Sequence, residues 1–221
     1  MFHTKICGVR TADDILAVKA SRADAVGLNF YPPSIRFVDP NARTTAELSE
    51  IANEQGLFRV GVFVNDSERI AEIASTVELD AIQLHGDETI DDALSVKQLI
   101  KLPLIRAIKL PHADLTPEMI AAATEPWTKA GFHLLLDADA GSAHGGSGKT
   151  LAWDAVRIWA DRASDVKWTL AGGLTPENVA EAITRSGTTS VDTASGVEKP
   201  RGSKSADRIL AFASESRQAF Q

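Results

Sequence analysis

Eight short apolar runs, each followed by a segment with helical spacing, predict an α/β fold, a single (β/α)8 TIM barrel spanning residues 1–221. Two observations carry that prediction. The runs are continuously apolar rather than strictly alternating, as expected of parallel strands covered on both faces. Strand and helix also recur about every 25 to 30 residues, near the lower end of the usual barrel size. A doubly wound sheet shares these local signals and is the structural alternative. No Gly/Ser/Pro-rich linker divides the chain, so one domain is expected.

The strand-like runs lie at 3–7, 25–30, 58–64, 81–84, 104–108, 133–137, 167–171 and 190–192. Thr11 before Ala12-Asp13-Asp14 predicts the first helix: a capping hydroxyl and acids in the first turn, where the helix dipole favours them. Ile15, Leu16 and Val18 then supply part of an apolar stripe. Asp66 to Arg69 and Thr89 to Asp92 predict two further starts. Pro111, Pro126 and Trp127 break up the neighbourhood of the fifth helix. Thr175-Pro176-Glu177-Asn178 predicts a later one, with Thr175 as cap and Pro176 in the first helical position.

Composition narrows the function. A net charge of −7 and a pI near 5.3 disfavour a nucleic-acid surface, so an anionic ligand would need a local positive site. No apolar run approaches the roughly 20 residues that cross a bilayer. A single cysteine excludes an internal disulfide, and Met1-Phe2-His3-Thr4 has neither a basic stretch nor an apolar signal core; a reducing cytoplasm is expected. The five histidines form no close-spaced ligand pair, so no metal centre is expected.

In a barrel the functional residues gather on the loops that follow the strands. Cys7 closes the first run beside Gly8. Most free cysteines are small buried hydrophobes, but one at a strand end beside a glycine is placed to face a ligand. The second strand leads into a stiff loop, Tyr31-Pro32-Pro33-Ser34-Ile35-Arg36, ending in a guanidinium suited to a carboxylate. After the fourth strand, alternation puts Gln83 and His85 on one face; such a histidine is either catalytic or orders its neighbours. Asp137 ends the sixth strand and is followed by the glycine-dense Gly145-Gly146-Ser147-Gly148-Lys149-Thr150. A nucleotide-binding reading of that tail fails, because the motif needs a glycine where Ala143 stands. Gly172 and Gly173 follow the seventh strand, and Ser195 and Gly196 follow Asp192 after the eighth. Three successive loops with free N–H groups on one face imply a phosphate site.

Taken in order, Lys5-Ile6-Cys7-Gly8, Gly27-Leu28-Asn29-Phe30 with Ser34-Ile35-Arg36, Gln83-Leu84-His85-Gly86, Leu136-Asp137 with Gly145 to Thr150, Ala171-Gly172-Gly173-Leu174 and Asp192 with Ser195-Gly196-Val197-Glu198 closely resemble phosphoribosylanthranilate isomerase of tryptophan biosynthesis. The match runs from residue 5 to about residue 204 in the family's order. The resemblance implies a single barrel without cofactor or metal. It also implies an Amadori rearrangement of N-(5-phosphoribosyl)anthranilate to 1-(2-carboxyphenylamino)-1-deoxyribulose 5-phosphate. By the same resemblance Cys7 is the general base, Asp137 the general acid and Arg36 the holder of the anthranilate carboxylate. Asp192 would contact the substrate beside the reacting carbons, with Gln83 and His85 at the site. Gly146, Ser147, Gly148, Gly172, Gly173, Ser195 and Gly196 would hold the phosphate. Proton donation by Asp137 would be helped by burial or by a nearby Asp192 carboxylate. The expected partner is this small molecule, not a nucleic acid or a membrane, and the chain acts as a monomer or homodimer.

The chain departs from the family pattern at Lys204-Ser205, where Lys-Asp is expected, and in the insert from Ala138 to His144. The nearest rival is a histidine-pathway isomerase, or a bifunctional barrel serving both pathways, for a substrate with two phosphates. That site would carry an aspartate where this one has Cys7, and a second glycine cluster that residues 61–66 lack. A catalytically silent barrel that binds a phosphorylated metabolite is the other alternative. Retention of both Cys7 and Asp137 argues against it.

Overall fold

A computed structural model describes residues 1–138 and 149–221. Its strands are β1 (Thr4–Cys7), β2 (Ala25–Asn29), β3 (Phe58–Phe63), β4 (Ala81–Leu84), β5 (Leu104–Leu110), β6 (His133–Ala138), β7 (Trp168–Leu170) and β8 (Val191–Thr193). The helices between and after them are α1 (Ala12–Ser21), α2 (Arg43–Glu54), α3 (Ile70–Thr76), α4 (Ile90–Leu99), α5 (Pro117–Lys129), α6 (Trp153–Arg162), α7 (Val179–Ser186) and α8 (Ala206–Ala219). All strand pairs are parallel, and β1 pairs with both β2 and β8, which closes the ring. The doubly wound alternative is thereby excluded.

Two helix starts follow their sequence signals. Thr11 accepts from the Asp14 N–H at 3.1 Å while Asp14 accepts from the Thr11 N–H at 3.1 Å, and Thr89 and Asp92 repeat this reciprocal cap. Two others begin later than the sequence suggests. Residues 175–178 form a turn rather than the first turn of α7, because the Asn178 side chain folds back. Its Oδ1 accepts from the Thr175 N–H at 2.8 Å and its Nδ2 donates to the Gly173 carbonyl at 3.0 Å. At Asp66 the chain is drawn sideways instead: Asn65, at φ +53°, bonds residues 87 and 88 of the β4 loop, and α3 starts only at Ile70. Pro126 is accommodated in the last turn of α5, where Trp127 packs edge-on against Phe132 with centroids 5.5 Å apart. β5 runs two residues further than its apolar run, and β7 is one residue shorter at each end.

The period of two in each strand sorts side chains between two cores. Ile6, Ile82, Leu84, Leu134, Leu136 and Val191 face outward into the large cluster shared with the helices. Phe2, Ala25, Val60, Ala81, Ile105, Ala107, Leu135 and Ala171 form a separate cluster. Three of its strand positions are alanines, which leaves room within the ring for longer polar side chains. Lys5, Gln83 and Thr169 fill it with no exposed surface.

Candidate active site

A cavity of about 370 Å³ is lined by residues at the carboxyl ends of the strands and on the loops beyond them. Of the residues singled out from sequence, Cys7, Arg36, Gln83, His85, Asp137, Gly172, Gly173, Asp192 and Ser195 line it. Gly196 lies behind the wall, packed so tightly that a Cβ there would strike the Leu174 carbonyl. Gly146, Ser147 and Gly148, like most of the insert 138–144, lie outside the described residues.

Cys7 ends β1 and is buried. Its thiol fits because its neighbour on β2 is Gly27, where a Cβ would sit 2.7 Å from Sγ. Burial pushes the thiol above its ordinary value, the Lys5 ammonium pulls against that, Asp192 adds to it, and Lys204 and Arg36 oppose it. The net direction is upward, so the thiolate form needs further positive charge in the cavity.

Asp137, on β6, meets His85, whose Nε2 lies 3.2 Å from Oδ2. The other ring nitrogen, Nδ1, is 2.7 Å from Gln83 Nε2, so the shared face inferred for Gln83 and His85 becomes a direct contact. Gln83 Oε1 in turn accepts from Lys5 Nζ at 3.0 Å. Asp192 pairs with this ammonium at 3.0 Å. That contact is ionic, since the buried Oδ1 has no aligned hydrogen bond among the described residues.

Arg36 holds a carboxylate as its loop suggests, but one from this chain. Its Nε and Nη2 bond the two oxygens of Glu198 at 2.6 and 2.9 Å, leaving Nη1 outside the fork. Lys204 Nζ also reaches Glu198 Oε1, at 3.0 Å, and the Ala194 carbonyl at 2.7 Å. Burial pushes the Glu198 carboxyl up, but the Arg36 hydrogen bond, Lys204 and the Gly202 N–H outweigh it and hold it at about 2. Glu198 is therefore anionic throughout the physiological range. One anion against two cations leaves this wall positive, as an anionic ligand on an acidic protein requires.

Three residues of the site carry no role from sequence: Lys5, Glu198 and Lys204. Lys5 sits in an otherwise apolar run, two residues before Cys7 and therefore on the same face; that spacing is its signal. The Arg36–Glu198 pair joins loops 162 residues apart, and no local pattern reports it. Among the described residues no group of three or more His, Cys, Asp or Glu is arranged to hold a metal ion. The arrangement offers a thiol and a carboxylate on one cavity, beside a positive wall and a glycine-rich rim. That set can move a proton off one atom of a bound anion and onto another.

The family model for N-(5'-phosphoribosyl)anthranilate (PRA) isomerase matches residues 4–215. A curated relative from Ruegeria sp., an N-(5'-phosphoribosyl)anthranilate isomerase, is 37% identical, covering 95% of each chain. The crystal structure of the phosphoribosyl anthranilate isomerase from Thermotoga maritima is 35% identical, with a TM-score of 0.83 over 99% of this chain and 100% of that one. A further solved phosphoribosyl anthranilate isomerase, 33% identical with a TM-score of 0.80 over 99% of this chain and 100% of that one, is a complex with reduced 1-(o-carboxyphenylamino)-1-deoxyribulose 5-phosphate.

Proposed function

The chain belongs to the N-(5'-phosphoribosyl)anthranilate isomerase family, and we infer from its site how its residues divide that reaction. The activity is an aldose–ketose isomerisation in tryptophan biosynthesis, turning the aminoaldose phosphoribosylanthranilate into an aminoketose. Two proton movements are required. The furanose ring opens when its oxygen is protonated and the C1–O bond breaks, leaving an iminium at C1. The proton on C2 is then removed, its electrons forming an enolamine; uptake of a proton at C1 and loss of one from the C2 hydroxyl give the ketone.

Asp137 is the acid for the first movement and Cys7 the base for the second. The observation carrying this reading is that both line one cavity, from strands three places apart round the ring. Burial and Asp192 oppose a thiolate at Cys7, and the iminium supplies the missing positive charge only after the ring has opened. The base is thus strongest when it is needed. Arg36 Nη1 takes the anthranilate carboxylate while Glu198 keeps the guanidinium plane fixed. Asp192 lies beside the reacting carbons, and Gly172, Gly173, Ser195 and Gly196 contribute to the phosphate cradle with Gly146, Ser147 and Gly148.

No helix among the described residues is long and apolar enough to cross a membrane. The reaction belongs in a reducing cytoplasm, where the thiol remains free. Purified protein is expected to consume phosphoribosylanthranilate, read as loss of anthranilate-type fluorescence, in a chelated and nucleotide-free assay. Failure there, together with failure to restore growth of a tryptophan auxotroph, would sink the assignment.

A further inference from the structure

Lys5 is among the largest side chains with essentially no exposed surface among the described residues, a place lysine rarely occupies unless paired. Its ammonium has three protons to give and no lone pair. One is given to Gln83 Oε1 at 3.0 Å, Asp192 Oδ1 lies at 3.0 Å, and Cys7, two residues further along β1, shares the face of Lys5.

The direction of every bond beyond Lys5 follows from that. Because an ammonium can only donate, Gln83 must present Oε1 to it and its NH2 to His85 Nδ1. Nδ1 must then accept, so the N–H sits on Nε2, the nitrogen facing Asp137 Oδ2. A second proton on Nδ1 would meet the amide N–H head on.

We propose that Lys5 is a positioning residue that ties base to acid: its ammonium steadies the Cys7 thiolate and, by fixing the sense of the Gln83–His85 relay, presents an oriented N–H to Asp137. This rests on the reading of Cys7 as base and Asp137 as acid. With Oδ2 engaged by His85, Oδ1 is the oxygen assigned to the proton transfer. The charged groups acting on Cys7 are Lys5 from β1, Asp192 from β8, Arg36 from the loop after β2 and Lys204 from the segment before α8. Lys5 is the strongest of these three cations, and among the described residues Asp192 is the anion opposing them. Burial lowers the hold of Lys5 on its own proton, but Asp192 and Cys7 outweigh it, so the ammonium stays charged over the working range.

Cys7 is the only cysteine, so its alkylation by iodoacetamide can be followed against pH in the full chain without background. Lys5→Met is expected to move the alkylation midpoint up by at least one pH unit, slowing the reaction about tenfold at pH 8. Asp192→Asn is expected to move it down, because the opposing anion is gone. This opposite sign keeps the test decisive if Lys5→Met does not fold. Gln83→Leu, which cuts the relay but leaves the charge, is expected to hold the midpoint near wild type and lower kcat about tenfold with a smaller change in KM. Midpoints of Lys5→Met or Asp192→Asn that coincide with wild type would overturn the role of Lys5, as would unchanged kcat in Gln83→Leu. A fully active Cys7→Ala would instead overturn the base assignment beneath it.

Discussion

The two ends of the barrel each carry a histidine within a string of polar side chains, yet the two strings are built differently. At the mouth, His85 has both ring nitrogens engaged, by Gln83 and by Asp137, and the string runs on to Lys5. At the opposite end, His133 bonds Thr169 Oγ1 through Nε2 at 2.9 Å and Thr169 meets Ser190 at 2.9 Å, while the buried Nδ1 has no partner among the described residues. Burial pushes His133 down to about 4, so this ring is held neutral by exclusion of water. A second cavity of about 490 Å³, larger than the one at the mouth, is lined by His133, Phe2 and Ser190. Size therefore does not mark the site. What marks it is a set of titratable groups linked to one another and open to a ligand.

The largest effect is expected at the mouth. Cys7→Ala and Asp137→Asn should each lower kcat on the order of 10² to 10⁴ with the fold retained by circular dichroism. Full turnover in either would remove that residue from the chemistry. Arg36→Ala should raise KM about ten- to a hundredfold, the worth of a lost charged hydrogen bond, with kcat changing less. An unaltered KM would mean the carboxylate is held elsewhere.

The opposite end should answer in stability alone. Unfolded chain binds a proton at His133 below about pH 6.5, while the folded chain resists it until about 4, so stability is lost as pH falls through that window. The full loss is about 3 kcal/mol, at roughly 1.4 kcal/mol for each pH unit of the shift. His133→Asn should flatten the fall of the urea midpoint between pH 7 and 4.5 and leave kcat unchanged. If wild type and variant lose stability in parallel, burial is not what keeps this ring neutral.

Legibility from sequence follows how local the cause is. The eight strands and the reciprocal caps at Thr11 and Thr89 could be read because each is decided within a few residues. The start of α7 could not, because it depends on where the Asn178 side chain folds back, onto the Thr175 N–H and the Gly173 carbonyl. Cys7, Gln83, His85 and Asp137 could be read as strand-end residues on inward faces. Lys5 shares their face by spacing, but its role could not be read, since the room for a buried lysine depends on the alanines around it. The neighbours of Asp192 were also out of reach, because which strand it faces depends on how the ring closes.

The seam between β1 and β8 has a developmental consequence. Thiol and lysine leave the ribosome long before Asp192 and Lys204, two of the charges that act on the thiol. A nascent chain halted before β8 therefore has an open sheet with two unpaired edges and a cysteine without its finished surroundings. Turnover by this protein is thus a built-in certificate that translation ran through β8 and that β8 has found β1.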